Sequence, residues 1–170
     1  MEILIIVVIA YIVIVFGFTR LVVPHFGFGS DLVPEIIPDS MLEKIKELKN
    51  KANTSKEKFL ELSYNYLGNK YHSERLNTLF KFFDMYRNLG WYWNKTGFIH
   101  CQWANFLLKI FLVKSEFFKE DEIRPRYAFL NFIPHQYLQV KISNKWVDVD
   151  VDEKYKGYKI GEHNNKLFAK

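Results

Sequence analysis

The chain has 170 residues, of which 25% are charged and 18% aromatic, which excludes a disordered or low-complexity protein and leaves room for one domain with its own core. Its formal charge of +5 is compatible with an acidic partner, but the lysines from Lys44 to Lys58 alternate with Glu43, Glu47 and Glu57 at helical spacings, the pattern of a solvated helix face. No arginine cluster, RNP-like motif or zinc-finger spacing accompanies the charge, so no nucleic-acid partner is expected.

Residues 3–18 carry no charged side chain and are almost all aliphatic or Phe. Extending the run through Val23, with Arg20 reaching back to the headgroups, gives about the 20 residues that a bilayer requires. A single N-terminal transmembrane helix over residues 1–23 is therefore expected, on an open side of the membrane. No basic stretch precedes Ile3 and no small-x-small site follows the run, which favours an uncleaved anchor over a signal peptide. Pro24, Pro34 and Pro38, with Gly27 and Gly29, mark residues 24–39 as a linker, leaving residues 40–170 as the domain.

Within that domain, Ser40 with Glu43 and Thr54 with Glu57 form two capping boxes, which start helices toward Lys51 and Tyr66. Ser73 can cap a third helix, where Leu76, Leu79, Phe80, Phe83 and Tyr86 recur at three- and four-residue steps until Gly90. After a loop over 91–99, residues 101–113 are apolar nearly all round, as in a buried central helix. Strand-like runs follow at 126–132, 135–142 and 146–151, the last two joined by Ser143 and Asn144. Helices first and an antiparallel sheet second make the fold class α+β.

Strand alternation is a test of geometry. A two-residue turn at Ser143 and Asn144 makes the apolar faces coincide, pairing Leu138 with Val149 and Tyr137 with Asp150. His135 then lies opposite Asp152 and diagonal to Asp150. Cys101 is the only cysteine, which excludes an internal disulfide, and it opens the central helix. A helix N-terminus and an adjacent imidazole both stabilise a thiolate. His135 would serve as base and then as general acid, while Asp150 fixes its tautomer, with Asp148 and Asp152 as alternatives in that role. Such a unit forms a thioester with an acyl donor and passes the acyl group to water or an amine.

The order Cys101, His135, Asp150, with Tyr137 two residues after the histidine and Trp146 four before the aspartate, resembles the transglutaminase-like superfamily of papain-type cysteine enzymes over residues 73–152. That resemblance implies a central cysteine-bearing helix packed on an antiparallel sheet, with N-terminal helices. It implies Cys101, His135 and Asp150 as the catalytic residues, no cofactor or metal, and a protein or peptide substrate with an amide acyl donor. Hydrolysis, as in a protease or amidase, is expected ahead of crosslinking. The chain departs from the family pattern at Ile99, which stands where members carry Gly, and at Ala104, Gln136 and Val151. A catalytically inactive module that binds a peptide or protein at the membrane is the alternative those departures allow.

An oxyanion hole needs a donor besides the Cys101 N–H, for which Trp91, Trp93 and Gln102 are candidates, with Lys95 where papain-type enzymes place glutamine. His100 has no second ligand at metal spacing. His25, His72 and His163 read as solvated loop residues, Trp146 as packing, and Phe80, Phe82, Phe83, Phe117 and Phe118 as core.

Overall fold

The computed structural model describes residues 2–27, 32–130 and 133–165. Its axis is the helix α7 (Cys101–Lys114), in which eleven of fourteen residues are buried because apolar side chains run round its whole circumference. The helices α3 (Asp39–Ala52) and α4 (Lys56–Lys70) pack against it, as does the strand β4 (Ile133–Ile142). Met41 and Ile45 of α3, Phe59 and Leu67 of α4, Leu107 and Ile110 of α7, and Leu138 and Val140 of β4 form one continuous core. Each such side chain contributes about 1.5–3 kcal/mol by leaving water.

The helix starts differ in detail from those read from the sequence. Ser40 lies inside the first turn of α3, and its Oγ accepts the Trp93 indole N–H at 2.8 Å instead of capping. Asn53 and Thr54 both take left-handed backbone conformations, so the cap of α4 moves to Ser55, whose Oγ accepts the Lys58 N–H at 3.1 Å. The expected third helix is broken into α5 (Arg75–Phe80), a 3₁₀ turn at Phe82–Tyr86 and α6 (Leu89–Asn94), the last capped by Asn88. Because the turn breaks the helical period, Phe80 and Phe83 face outward at 83% and 82% exposure instead of joining the core. Phe118 is buried, and Phe117 packs against the core.

The sheet has the order β3-β4-β5, antiparallel throughout, with β3 at Ile123–Leu130 and β5 at Lys145–Val149. Ser143 and Asn144 have φ of 46° and 65°, the two left-handed residues of a type I′ turn whose twist matches that of the strands. Leu138 pairs with Val149, as the turn requires, and β5 ends there, so Asp150 opens the following loop. The strand β3 begins earlier than expected and contains Pro125, which an edge strand tolerates. Two short parallel strands, β1 (Tyr71–His72) and β2 (Gly97–Phe98), were not expected. They place the start of α7 beside the loop after β5, because Ile99 N–H donates to the His72 carbonyl and Ser73 N–H to that of Asp152.

At the N-terminus the expected anchor is not formed. The helix α1 (Glu2–Ile12) rises about 16 Å, roughly half of the ~30 Å hydrocarbon core. It continues as π-helical Val13–Phe18 and then as the single turn α2 (Thr19–Val22). Among the described residues no helix is long and apolar enough to cross a membrane, so the transmembrane helix and the single-pass membrane localisation are withdrawn. The expectation treated residues 3–23 as one helix ending in headgroups, whereas their C-terminal end folds onto the domain.

Arg20 does not reach for headgroups. Its guanidinium sits 4.2 Å above the Tyr127 ring. Val23 and Phe26 are buried with Met85, and His25 stacks on Phe106 at 3.9 Å with its edge to Trp103, so it is not a solvated histidine. Gln136 Nε2 donates to the His25 carbonyl at 3.0 Å, fastening this segment to β4. Of the expected linker, Val33 and Ile37 also pack on the core, and Val33 N–H donates to Glu120 Oε1.

Candidate active site

Cys101 is the first residue of α7, half-buried, and the preceding His100 is extended. The His100 carbonyl accepts from the N–H groups of Trp103 and Ala104, at 3.0 and 3.1 Å. The N–H groups of Cys101 and Gln102 therefore belong to the first turn, where no intrahelical acceptor exists and the helix dipole is positive. One turn further on, Asn105 Nδ2 donates to the Gln136 carbonyl at 2.6 Å, in the interior. This bond fixes the axial position of α7 against β4, and so the position of Cys101 against His135.

His135 is buried, with Nε2 2.9 Å from Asp150 Oδ2. That leaves Nδ1 as the ring nitrogen open to Cys101, which lines the same cavity and whose thiol is 3.7 Å from Gln102 Oε1. Burial opposes charging this imidazole more than any other single cause. The charge and hydrogen bond of Asp150, with the neighbouring Cys101 and the charge of Asp152, together outweigh it, so the His135 pKa lies well above the usual histidine range. Asp150 is fully buried, and its Oδ2 accepts the Asn164 N–H as well. The structure thus brings together the three residues named from the sequence.

The two alternative carboxylates have different fates. Asp148 accepts from Gln139 Nε2 at 2.7 Å and pairs with His163 Nδ1 at 2.8 Å, so it is committed away from the imidazole. His163 also stacks on Tyr137 at 4.1 Å and is not a solvated histidine. His72 is paired with Glu74 at the surface. Asp152 is fully buried beside Asp150, and burial followed by the charge of Asp150 raises its carboxyl well above the usual range. The ligand atoms of His135, Asp150 and Asp152 lie within 4.8 Å of one another and could hold a cation. Doing so would pull the imidazole from Asp150 and require Asp152 to give up its proton.

Cys101 and His135 face a cavity of about 120 Å³. Of the three oxyanion candidates only Gln102 lines it; its Oε1 is 3.7 Å from Cys101 Sγ, and its buried Nε2 meets no acceptor. Trp93 is spent on Ser40, and Trp91 lies at the surface against the Lys95 ammonium, 4.2 Å from its ring. Burial lowers that ammonium to about 8. His100 also lines the cavity, where burial holds its imidazole down at about 4 and hence neutral at physiological pH. Trp146 packs beneath the Arg124 guanidinium, 3.8 Å away, on the sheet surface.

Sequence reasoning missed the Asn105 to Gln136 bond, the Asn164 contact to Asp150, and Val23, Phe26 and Met85 in the cavity wall. None has a local signal, since each depends on a long-range contact. No family model, curated protein or solved structure matches the chain. The α+β class stands. The transglutaminase-like fold, and the protease and transglutaminase character attached to it, have no matching structure behind them and are set aside in favour of the geometry of the site.

Proposed function

We propose that the chain is a cysteine-dependent acyl-transfer enzyme, acting on an amide or ester acyl donor through a thioester on Cys101. The observation that carries this reading is the line from Cys101 at a helix N-terminus, through the raised imidazole of His135, to the buried Asp150 carboxylate.

Cys101 Sγ attacks the acyl carbon, and the proton of the thiol rests on His135 Nδ1. Asp150 holds the imidazolium through Nε2 and keeps Nδ1 aimed at sulfur. The carbonyl oxygen gains negative charge as the tetrahedral species forms. The Cys101 N–H and Gln102 Nε2 are the donors that can meet it, and neither has to break a side-chain bond to do so. His135 gives its proton to the leaving amine or alcohol. Water or an amine then adds to the thioester with His135 as base, and sulfur leaves.

The test is to incubate the full chain with a 4-nitrophenyl ester and locate the acyl group by mass spectrometry. Expected is one acyl group on Cys101, discharged faster when an amine is added, and absent in His135→Ala. An unmodified Cys101 after prolonged incubation contradicts the proposal and favours the non-catalytic binding module.

A further inference from the structure

The cavity beside Cys101 has a chemical character that bears on what the acyl donor looks like. Val23, Phe26 and Met85 form a small apolar cluster against which Cys101 packs, and Leu130, Ile133 and Pro134 carry the lining on toward His135. Lys156, Glu153 and Glu74 at its edge are already matched within the protein. Lys156 pairs with Glu153 at 2.7 Å, Ser73 Oγ also donates to Glu153, and Glu74 pairs with His72. Asp152 lines the cavity as well, its two carboxyl oxygens buried without a hydrogen-bond partner, and burial favours its uncharged form. The size is also restrictive, because an apolar cavity of about 150 Å³ holds one benzene, and this one measures about 120 Å³.

We infer that this cavity receives the acyl side of the substrate, and that the carbonyl attacked by Cys101 carries a short apolar substituent of about four to six carbons. This deepens the acyl-transfer reading and rests on it. The acyl carbon becomes bonded to Sγ, so the group attached to it must occupy the space that Sγ faces, and that space is lined by Val23, Phe26 and Met85. The wall is therefore supplied partly by the N-terminal segment, over a hundred positions before His135 in the chain.

The probes are 4-nitrophenyl acetate, butanoate, hexanoate and decanoate, given to the full chain. In each, the Sγ–C bond forms and the C–O bond breaks with its electron pair on nitrophenoxide, and the thiol proton taken up by His135 passes to solvent. Water then adds with His135 taking one of its protons, the C–S bond breaks, and that proton goes to sulfur as the carboxylic acid leaves. Expected is a kcat/KM that rises about fourfold per added methylene, about 15-fold from acetate to butanoate, and falls again at decanoate. Val23→Phe should move the optimum to acetate, and Met85→Ala should move it to longer chains. The two lie on different elements and act in opposite senses, so loss of one fold leaves the other informative. Equal kcat/KM from acetate to hexanoate, with Cys101 acylated in every case, overturns the pocket and leaves acyl transfer standing. Failure of every ester to acylate Cys101 overturns both.

Discussion

The hairpin of β4 and β5 and the segment over residues 19–27 meet at one cavity by opposite routes. The hairpin is specified locally: a period of two, a turn of two left-handed residues, and a contact between His135 and Asp150 fifteen positions apart. The N-terminal segment is specified by distant partners, with Gln136 111 positions from His25 and Tyr127 101 positions from Phe26. A uniformly apolar run says that burial is needed, and says nothing of what supplies it. The His135–Asp150 pair is thus held by local geometry, and the placing of Cys101 and the shape of the cavity by long-range contacts.

The sharpest break of that comparison is at the hairpin end. Cys101→Ala or His135→Ala should lower ester turnover by about 10⁴-fold or more, and Asp150→Asn by a similar order, measured as kcat/KM. Gln102→Ala should cost about a hundred- to a thousandfold, in kcat and not KM, because its donor serves only the charge that develops.

Packing variants come next. Phe118→Ala should destabilise the fold by about 3–5 kcal/mol in urea unfolding, whereas the exposed Phe83→Ala should fall within about 0.5 kcal/mol. Asn105→Ala leaves the Gln136 carbonyl without its donor in the interior and should cost about 1–3 kcal/mol, with a loss of turnover as α7 loses its register.

The smallest effect is in pH dependence. Asp152 and His135 both bind their protons more tightly in the folded state than their usual values of 3.8 and 6.5. Above about pH 4 the unfolded chain ionises Asp152 while the folded chain keeps it protonated, so stability falls with rising pH. The contribution of His135 is complete below about pH 6.5 and is lost as pH rises through its higher folded value. Thermal melts should therefore show Asp152→Asn gaining on the wild type as pH rises from about 4. A gain that shrinks with pH would contradict the assignment.

What was legible in the sequence follows the same division. The α7 helix, the β4–β5 register and the meeting of His135 with Asp150 rest on periodicity and turn chemistry, which are written in neighbouring residues. The third helix was not legible, because its aromatic period matched a helix face while the 3₁₀ turn at Phe82–Tyr86 breaks the face apart. Nor was the fate of residues 3–23, where π-helical turns divide a run that composition presents as continuous. The caps were nearly legible: Ser55 displaces Thr54 only because Asn53 and Thr54 turn the chain in left-handed conformations.

The most direct test of the account is the rate of iodoacetamide alkylation of Cys101 in the full chain at about pH 6.5, wild type against His135→Ala. Labelling that is fast in the wild type and at least about tenfold slower in the variant is the outcome expected of sulfur paired with a charged imidazole. Slow labelling in both, released only on unfolding, would mean that Cys101 and His135 do not act as a unit.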